Sequence, residues 1–166
     1  MNITESVTWK VCGFEQLTLR ELYLLAKLRV DVFVVEQSCP YPELDGQDLL
    51  DDTIHIIGAL NGSPVAYARI LAPAPTDATS VNTRKPTVYI GRVVIESNHR
   101  GYGLASILMR LALAQCEHHY PSHNQALAAQ VEVQMLYTKL GFTACSAHYL
   151  EDGIAHVDMV RAVHKP

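Results

Sequence analysis

The chain has 166 residues, of which 49% are hydrophobic and 18% charged, and its formal net charge is −4 at pH 7. This is a globular composition, long enough to bury one core, so it excludes a disordered chain; the negative balance argues against a nucleic-acid binder, which carries a basic face. No apolar run approaches the ~20 residues of a membrane helix, and residues 1–6 (MNITES) have neither the basic start nor the apolar core of a secretion signal.

Residues 7–11 form a short strand candidate. Thr18 and Glu21 stand at capping-box spacing, which satisfies orphan amides at a helix start. Leu19, Leu22, Tyr23, Ala26, Val30 and Phe33 recur at helical spacing, and the helix ends near Gln37 because Pro40 and Pro42 cannot continue it. Residues 38–52 make an acidic, proline-containing loop. Strands over 54–60 and 65–71 flank Asn61-Gly62, a strong hairpin signal. A loop with Pro73, Pro75 and Pro86 leads into a β-branched run over 87–95. A glycine-containing turn follows, then a second helix with Leu104, Ile107, Leu108 and Leu111 on one stripe. Residues 126–129 suit a strand, and 131–140 a helix with Val133, Leu136, Tyr137 and Leu140 on one face, closed by Gly141 as its left-handed cap. Two final strands, near 142–149 and 154–160, are joined by Asp152-Gly153. The order β-α-β-β-β-α-β-α-β-β predicts one α+β domain over 1–166, with a mixed, mainly antiparallel sheet flanked by helices. Cys12, Cys39, Cys116 and Cys145 are scattered and form no C-x-x-C pair, which fits a reducing, cytoplasmic compartment.

The segment Val93-Val94-Ile95-Glu96-Ser97-Asn98-His99-Arg100-Gly101-Tyr102-Gly103-Leu104-Ala105 runs a buried strand into glycines that open a helix. Amides at a helix start lack intrahelical partners and carry partial positive charge, and glycines let a diphosphate approach the backbone. On local grounds the segment is either such a cradle or a tight strand-to-helix turn. A Walker loop is excluded by the missing Gly-Lys-Ser/Thr, and a dinucleotide fingerprint by Ser106 where a third glycine is required.

Arg100-Gly101-Tyr102-Gly103-Leu104-Ala105 resembles the (Q/R)-x-x-G-x-(G/A) signature of the GNAT acetyltransferase superfamily, and Tyr137-Thr138-Lys139-Leu140-Gly141-Phe142 resembles the tyrosine-x-x-x-glycine-phenylalanine ending of many members. Further pieces over 32–37, 39–48, 66–70, 90–94 and 151–156 bring the resemblance closest to the ElaA-like subgroup. That resemblance implies acetyl-CoA as co-substrate. The amides of Arg100, Gly101, Tyr102, Gly103, Leu104 and Ala105 would hold its pyrophosphate. The backbone of Val93, Val94 and Ile95 would pair with its pantetheine arm and bind the thioester carbonyl. Gln130 stands where many relatives carry an asparagine that contacts this arm. Tyr137 would protonate the departing thiolate, a role a phenol beside the sulfur can fill; by local pattern alone such a tyrosine is more often a core aromatic with its hydroxyl satisfied.

The acceptor side is less defined. An amine must lose a proton to attack, and Glu36, Glu96, His55 and His156 are base candidates by type, none of them assigned. The loop acids Glu43, Asp45 and Asp48 either hold a cationic acceptor or face solvent. Arg29, Arg69 and Arg92 lie in apolar segments, where an unpaired charge is costly, and are expected to pair with those acids. Substrate contacts are accordingly expected among Arg29, Glu36, Asp45, Asp48, Arg69, Arg92 and His156. Cys116-Glu117-His118-His119 suggests zinc only weakly, since adjacent helical residues point apart, and no metal is expected. The expected partner is a small-molecule or peptide amine, with no nucleic acid and no membrane, for a monomer or homodimer. Arg29, Phe33, Glu43, Asp45, Asp48, Arg69 and Arg92 also resemble the pattern of acyl-homoserine-lactone synthases, and a CoA-binding sensor without turnover is a third reading.

Overall fold

A computed structural model describes residues 3–73 and 86–163; Pro75 and most of the loop before residue 86 lie outside them. In chain order the elements are α1 (Ile3–Ser6), β1 (Thr8–Cys12), α2 (Leu19–Val30), β2 (Ile54–Leu60), β3 (Ser63–Leu71), β4 (Thr87–Ile95), α3 (Leu104–His119), β5 (Asn124–Gln130), α4 (Gln134–Thr138), β6 (Thr143–Ala144), β7 (Tyr149–Glu151) and β8 (Ile154–Arg161). The described residues divide into two compact units, 3–69 with 92–112, and 70–73 with 86–91 and 113–163.

In the first unit β1, β2, β3 and the end of β4 are neighbours in that order. β1 runs antiparallel to β2, from Thr8↔Ala59 to Cys12↔His55. Asn61 and Gly62 both have positive φ (50° and 78°), the left-handed pair of a type I′ turn, so β2 and β3 form a two-residue hairpin. Thr18 accepts the Glu21 amide and Glu21 accepts the Thr18 amide, the expected capping box of α2. Lys10 also binds Glu21 (2.8 Å), and this hydrogen bond leads the causes that hold the Glu21 carboxyl down at about 2.

The face that α2 buries differs from the one the apolar spacing predicts. Leu19 and Tyr23 are 87% and 72% exposed, whereas Leu25, Leu28, Arg29 and Val32 are buried. Leu25, Leu28 and Val32 pack with Cys12, Ile57, Tyr67 and Val94, each large aliphatic contributing about 1.5–3 kcal/mol on burial. The helix is turned so that Arg29 reaches its acidic partners, and a count of apolar positions does not register that requirement. After Val30 the helix widens into a π-helical stretch, Asp31–Glu36, before stopping at Gln37.

In the second unit the start of β4 runs parallel to β5, from Thr87↔Asn124 to Tyr89↔Ala126. β8 is antiparallel to β5, from Gln125↔Arg161 to Gln130↔His156, and pairs with β6 and β7, also antiparallel. The sheet pairing is therefore mixed and mainly antiparallel, as expected. The expected strand over 142–149 is two short strands, because the Ser146 hydroxyl accepts the Asp158 amide (2.9 Å) and interrupts the ladder. The expected helix over 131–140 is a 3-10 turn, Val131–Val133, followed by α4, and Val133 is exposed rather than on a buried face.

α4 ends in a Schellman motif. Gly141 takes φ 90°, its amide donates to Thr138 O (3.1 Å), and the Phe142 amide donates to Tyr137 O (3.1 Å). Phe142, almost fully buried, packs edge-on against Tyr137 with ring centroids 6.2 Å apart. The spacing Tyr-x-x-x-Gly-Phe thus has a local physical cause: glycine supplies the left-handed residue, and the two aromatics make the contact that accompanies such a cap.

Candidate functional site

Between β4 and α3, Gly101 and Gly103 have φ of 83° and 82°, a conformation side chains strain to adopt. A Cβ on either would meet nothing within 4 Å, so the loop leaves open space in front of its backbone. The Arg100 amide is used internally, donating to Ser97 O at 3.4 Å, and α3 opens with Ser106 and Ile107 donating to Gly103 O. The amides of Gly101, Tyr102, Gly103, Leu104 and Ala105 donate to no other group among the described residues. Five unused donors at the start of a 16-residue helix, approached by open space, suit an anion.

Leu104 anchors this loop from below, buried with Val7 and Val65, while Tyr102 is 55% exposed. Arg100 is fixed rather than free: Nε donates to Ile95 O (3.1 Å), and Nη1 and Nη2 donate to the two Glu36 oxygens (2.7 and 3.1 Å). Val93, Val94 and Ile95 directly follow Arg92, whose φ of 54° breaks the regular pleat inside β4.

The arginines and the acidic loop form one buried network. Arg29 Nε donates to Glu43 Oε1 (2.5 Å) and Nη1 to Asp48 Oδ1 (2.8 Å). Arg69 donates to Asp48 (3.0 Å) and, through both Nη atoms, to Asp45 (2.8 and 2.7 Å). Arg92 lies 2.8 Å from Glu43 Oε2 and donates to Asp45 Oδ2 (3.2 Å). Tyr41 donates to Glu43, and Arg29 sits over the Tyr67 ring, 5.4 Å from its centroid. Three guanidinium groups face three carboxylates. The hydrogen bond from Arg69 leads the causes that push Asp45 well below the usual aspartate range; burial raises Asp48, and the Arg29 and Arg69 contacts overcome it to leave it lowered. Arg29 and Arg69 are each 2% exposed, so they act here by ordering the loop.

Three of the four base candidates are already engaged. His55 is buried, its Nε2 donating to Asp48 O (3.2 Å) and its Nδ1 accepting from Tyr67 OH (2.8 Å); burial pushes its pKa down. Glu96 accepts from the Asn98 amide and from His99, capping the turn before Arg100. Glu36 holds Arg100.

In the second unit Tyr137 is 6% exposed on α4, and burial pushes its hydroxyl up to about 12, so it keeps its proton at neutral pH. Gln130 ends β5 in register with His156 on β8. His156 Nδ1 lies 2.9 Å from Ile154 O. Tyr149, opposite His156 on β7, stacks on it at 6.1 Å and donates to Asp158 (2.6 Å). Tyr149 belongs to no motif, yet the two-residue turn Asp152-Gly153 fixes the register that pairs it with His156. Among the described residues no group of three His, Cys, Asp or Glu is placed to hold a metal ion.

Against known proteins, the Acetyltransferase (GNAT) domain family matches residues 74–163. The protein ElaA of Escherichia coli is 41% identical over 157 residues, 95% of this chain and 97% of its own. The chain belongs to the GNAT acetyltransferase family. Among solved structures, an acyl-CoA N-acyltransferase from Pseudomonas aeruginosa superposes on this GNAT protein with a TM-score of 0.85 at 43% identity, covering 95% of this chain and all of that one (100%). Escherichia coli ElaA gives 0.82 at 39%, covering 93% and 99%. A CoA-dependent acyl-homoserine lactone synthase, BjaI, gives 0.70 at 16%, covering 96% and 84%, a likeness of fold alone. Among the described residues no helix is long and apolar enough to cross a membrane.

Proposed function

We propose that this single acetyltransferase domain moves the acetyl group of acetyl-CoA to the amine of a small-molecule or peptide acceptor by direct attack. The observation that carries the reading is the run of undonated amides from Gly101 to Ala105 at the head of α3, opened by two left-handed glycines. Such a row is suited to a pyrophosphate, whose charge is matched by backbone dipoles rather than by mobile side chains. Arg100 adds a guanidinium already oriented by Glu36 and Ile95. On the family resemblance, the backbone of Val93 to Ile95 takes the pantetheine arm and thioester carbonyl, Gln130 contacts the arm, and Tyr137 hands its proton to the leaving thiolate. Tyr137 holds its proton at neutral pH, as a donor to the leaving thiolate must. Oxyanion stabilisation falls to strand amides. Asp45, partly exposed at the rim of the arginine network, is the member of that set best placed to meet an acceptor.

None of the four cysteines forms a disulfide among the described residues and three are buried, which fits a reducing compartment. The test is calorimetric titration with acetyl-CoA, followed by a screen of primary amines that reads thiol release. Binding with amine-dependent release supports transfer. Binding without release under any amine favours a sensor, and release dependent on S-adenosylmethionine favours the synthase-like alternative.

A further inference from the structure

We propose that His156 is the general base that takes the proton from the attacking amine. The proposal deepens the acetyl-transfer reading above and rests on it. A carbonyl oxygen only accepts hydrogen bonds, so the 2.9 Å contact with Ile154 O places the imidazole proton on Nδ1. In the neutral ring the lone pair is then on Nε2, which makes no hydrogen bond among the described residues; its nearest charged neighbour is Glu151 Oε2 at 3.8 Å. His55 differs on this point, since both its ring nitrogens are occupied.

The ring is held as well as oriented. Tyr149 stacks on one face at an interplanar angle of 25°, and its own hydroxyl is tied to Asp158 at 2.6 Å. Val157 and Met159 point into the core, so the alternation of β8 puts His156 and Asp158 together on the other face. Across the sheet His156 is in register with Gln130, the last residue of β5, from which the 3-10 turn Val131–Val133 leads into α4 and Tyr137. The groups on the ring's side of the sheet are thus Glu151 and Tyr149 on β7, Asp158 on its own strand and Gln130 on β5. Glu151 is exposed at the hairpin end, and its negative charge favours a cation approaching the imidazole.

In the step, the amine nitrogen forms a bond to the acetyl carbon and its proton passes to His156 Nε2. The carbon–sulfur bond breaks, and the thiolate takes the Tyr137 proton. The imidazolium then loses its proton to solvent and the tyrosinate regains one, so both groups are reset.

The test uses the full chain, acetyl-CoA and a panel of ethanolamine, lysine, spermidine and a short peptide with a free N-terminus. For the amine turned over fastest, His156→Gln should lower kcat/KM by at least ~100-fold while leaving the Kd for acetyl-CoA unchanged. It should also abolish the acidic limb of the pH–rate profile. Tyr149→Phe, which keeps the ring stack and drops the bond to Asp158, should lower the rate less and leave the limb in place. Nitrogen-15 NMR of histidine-labelled protein should show His156 as the Nδ1–H tautomer. Near wild-type activity in His156→Gln, a retained limb, or an Nε2–H tautomer overturns the base assignment alone. A wild-type chain that binds acetyl-CoA and acetylates no amine in the panel counts against the transfer reading and takes this assignment with it.

Discussion

Replacing Gly103 by aspartate, with asparagine as its neutral counterpart, isolates the electrostatics of the loop. At φ 82° either side chain strains the backbone, but Asp and Asn tolerate the left-handed region best, at a cost of about 1 kcal/mol. A Cβ there meets nothing within 4 Å, so neither variant clashes with the protein and both should fold. The aspartate stands where a pyrophosphate would lie. At about 5 Å from one phosphate charge, its repulsion runs from ~1 kcal/mol in a water-like medium to ~3 kcal/mol at an effective dielectric near 20. Two phosphate charges raise this to roughly 2–6 kcal/mol, a loss of at least ~30-fold in affinity beyond that of asparagine. Calorimetric titrations of both variants with CoA, and with pantetheine as a ligand lacking the pyrophosphate, measure the difference. The gap between the variants should appear with CoA, vanish with pantetheine and narrow as salt shortens the screening length. Equal CoA affinities for the two variants and the wild type would refute a pyrophosphate at this loop.

Tyr137→Phe should lower turnover by roughly 100-fold and leave acetyl-CoA affinity unchanged, measured by steady-state kinetics and titration; equal turnover would make the tyrosine a packing residue. With its hydroxyl held near 12, Tyr137 should impose no loss of activity up to about pH 10, where an ordinary phenol ionises, and an alkaline limb that disappears in the phenylalanine variant would contradict this. Arg69→Met leaves Asp48 with Arg29 as its one arginine and Asp45 with Arg92, and should cost about 1–3 kcal/mol in urea unfolding. Asp45 and Asp48 titrate below the ordinary 3.8 in the folded chain, so the unfolded chain binds more protons as pH falls. Their contribution to stability should be complete above 3.8 and drain away below it, and Asp45→Asn should flatten that part of the stability–pH curve.

Features written in short-range chemistry were legible before any coordinates. Asn61-Gly62, the Thr18–Glu21 box and Gly141 each specify a local conformation, and each takes it. The open amides of the loop follow from glycines at a strand-to-helix junction, although the Arg100 amide proved to be spent on Ser97. The buried face of α2 is not legible in apolar spacing because two apolar stripes compete on it, and the winner is set by Arg29 meeting Glu43 and Asp48, 14 and 19 residues away. The gap between β6 and β7 likewise depends on a distant partner, Asp158, binding the Ser146 hydroxyl. The pairing of arginines with acids was foreseeable from the cost of burying charge; which nitrogen of His156 carries the proton was not, since it depends on where one carbonyl points.

The equal numbers of guanidinium and carboxylate groups around Arg29 have a consequence for how an acceptor arrives. Opposite charges packed within about 3 Å cancel at a distance, so Glu43, Asp45 and Asp48 cast little field into solution, and the exposed Asp51 and Asp52 carry the loop's long-range negative charge. An amine that meets Asp45 must then be held by contacts at touching range, while any response of its association rate to ionic strength would come from the exposed carboxylates Asp51, Asp52 and Glu151.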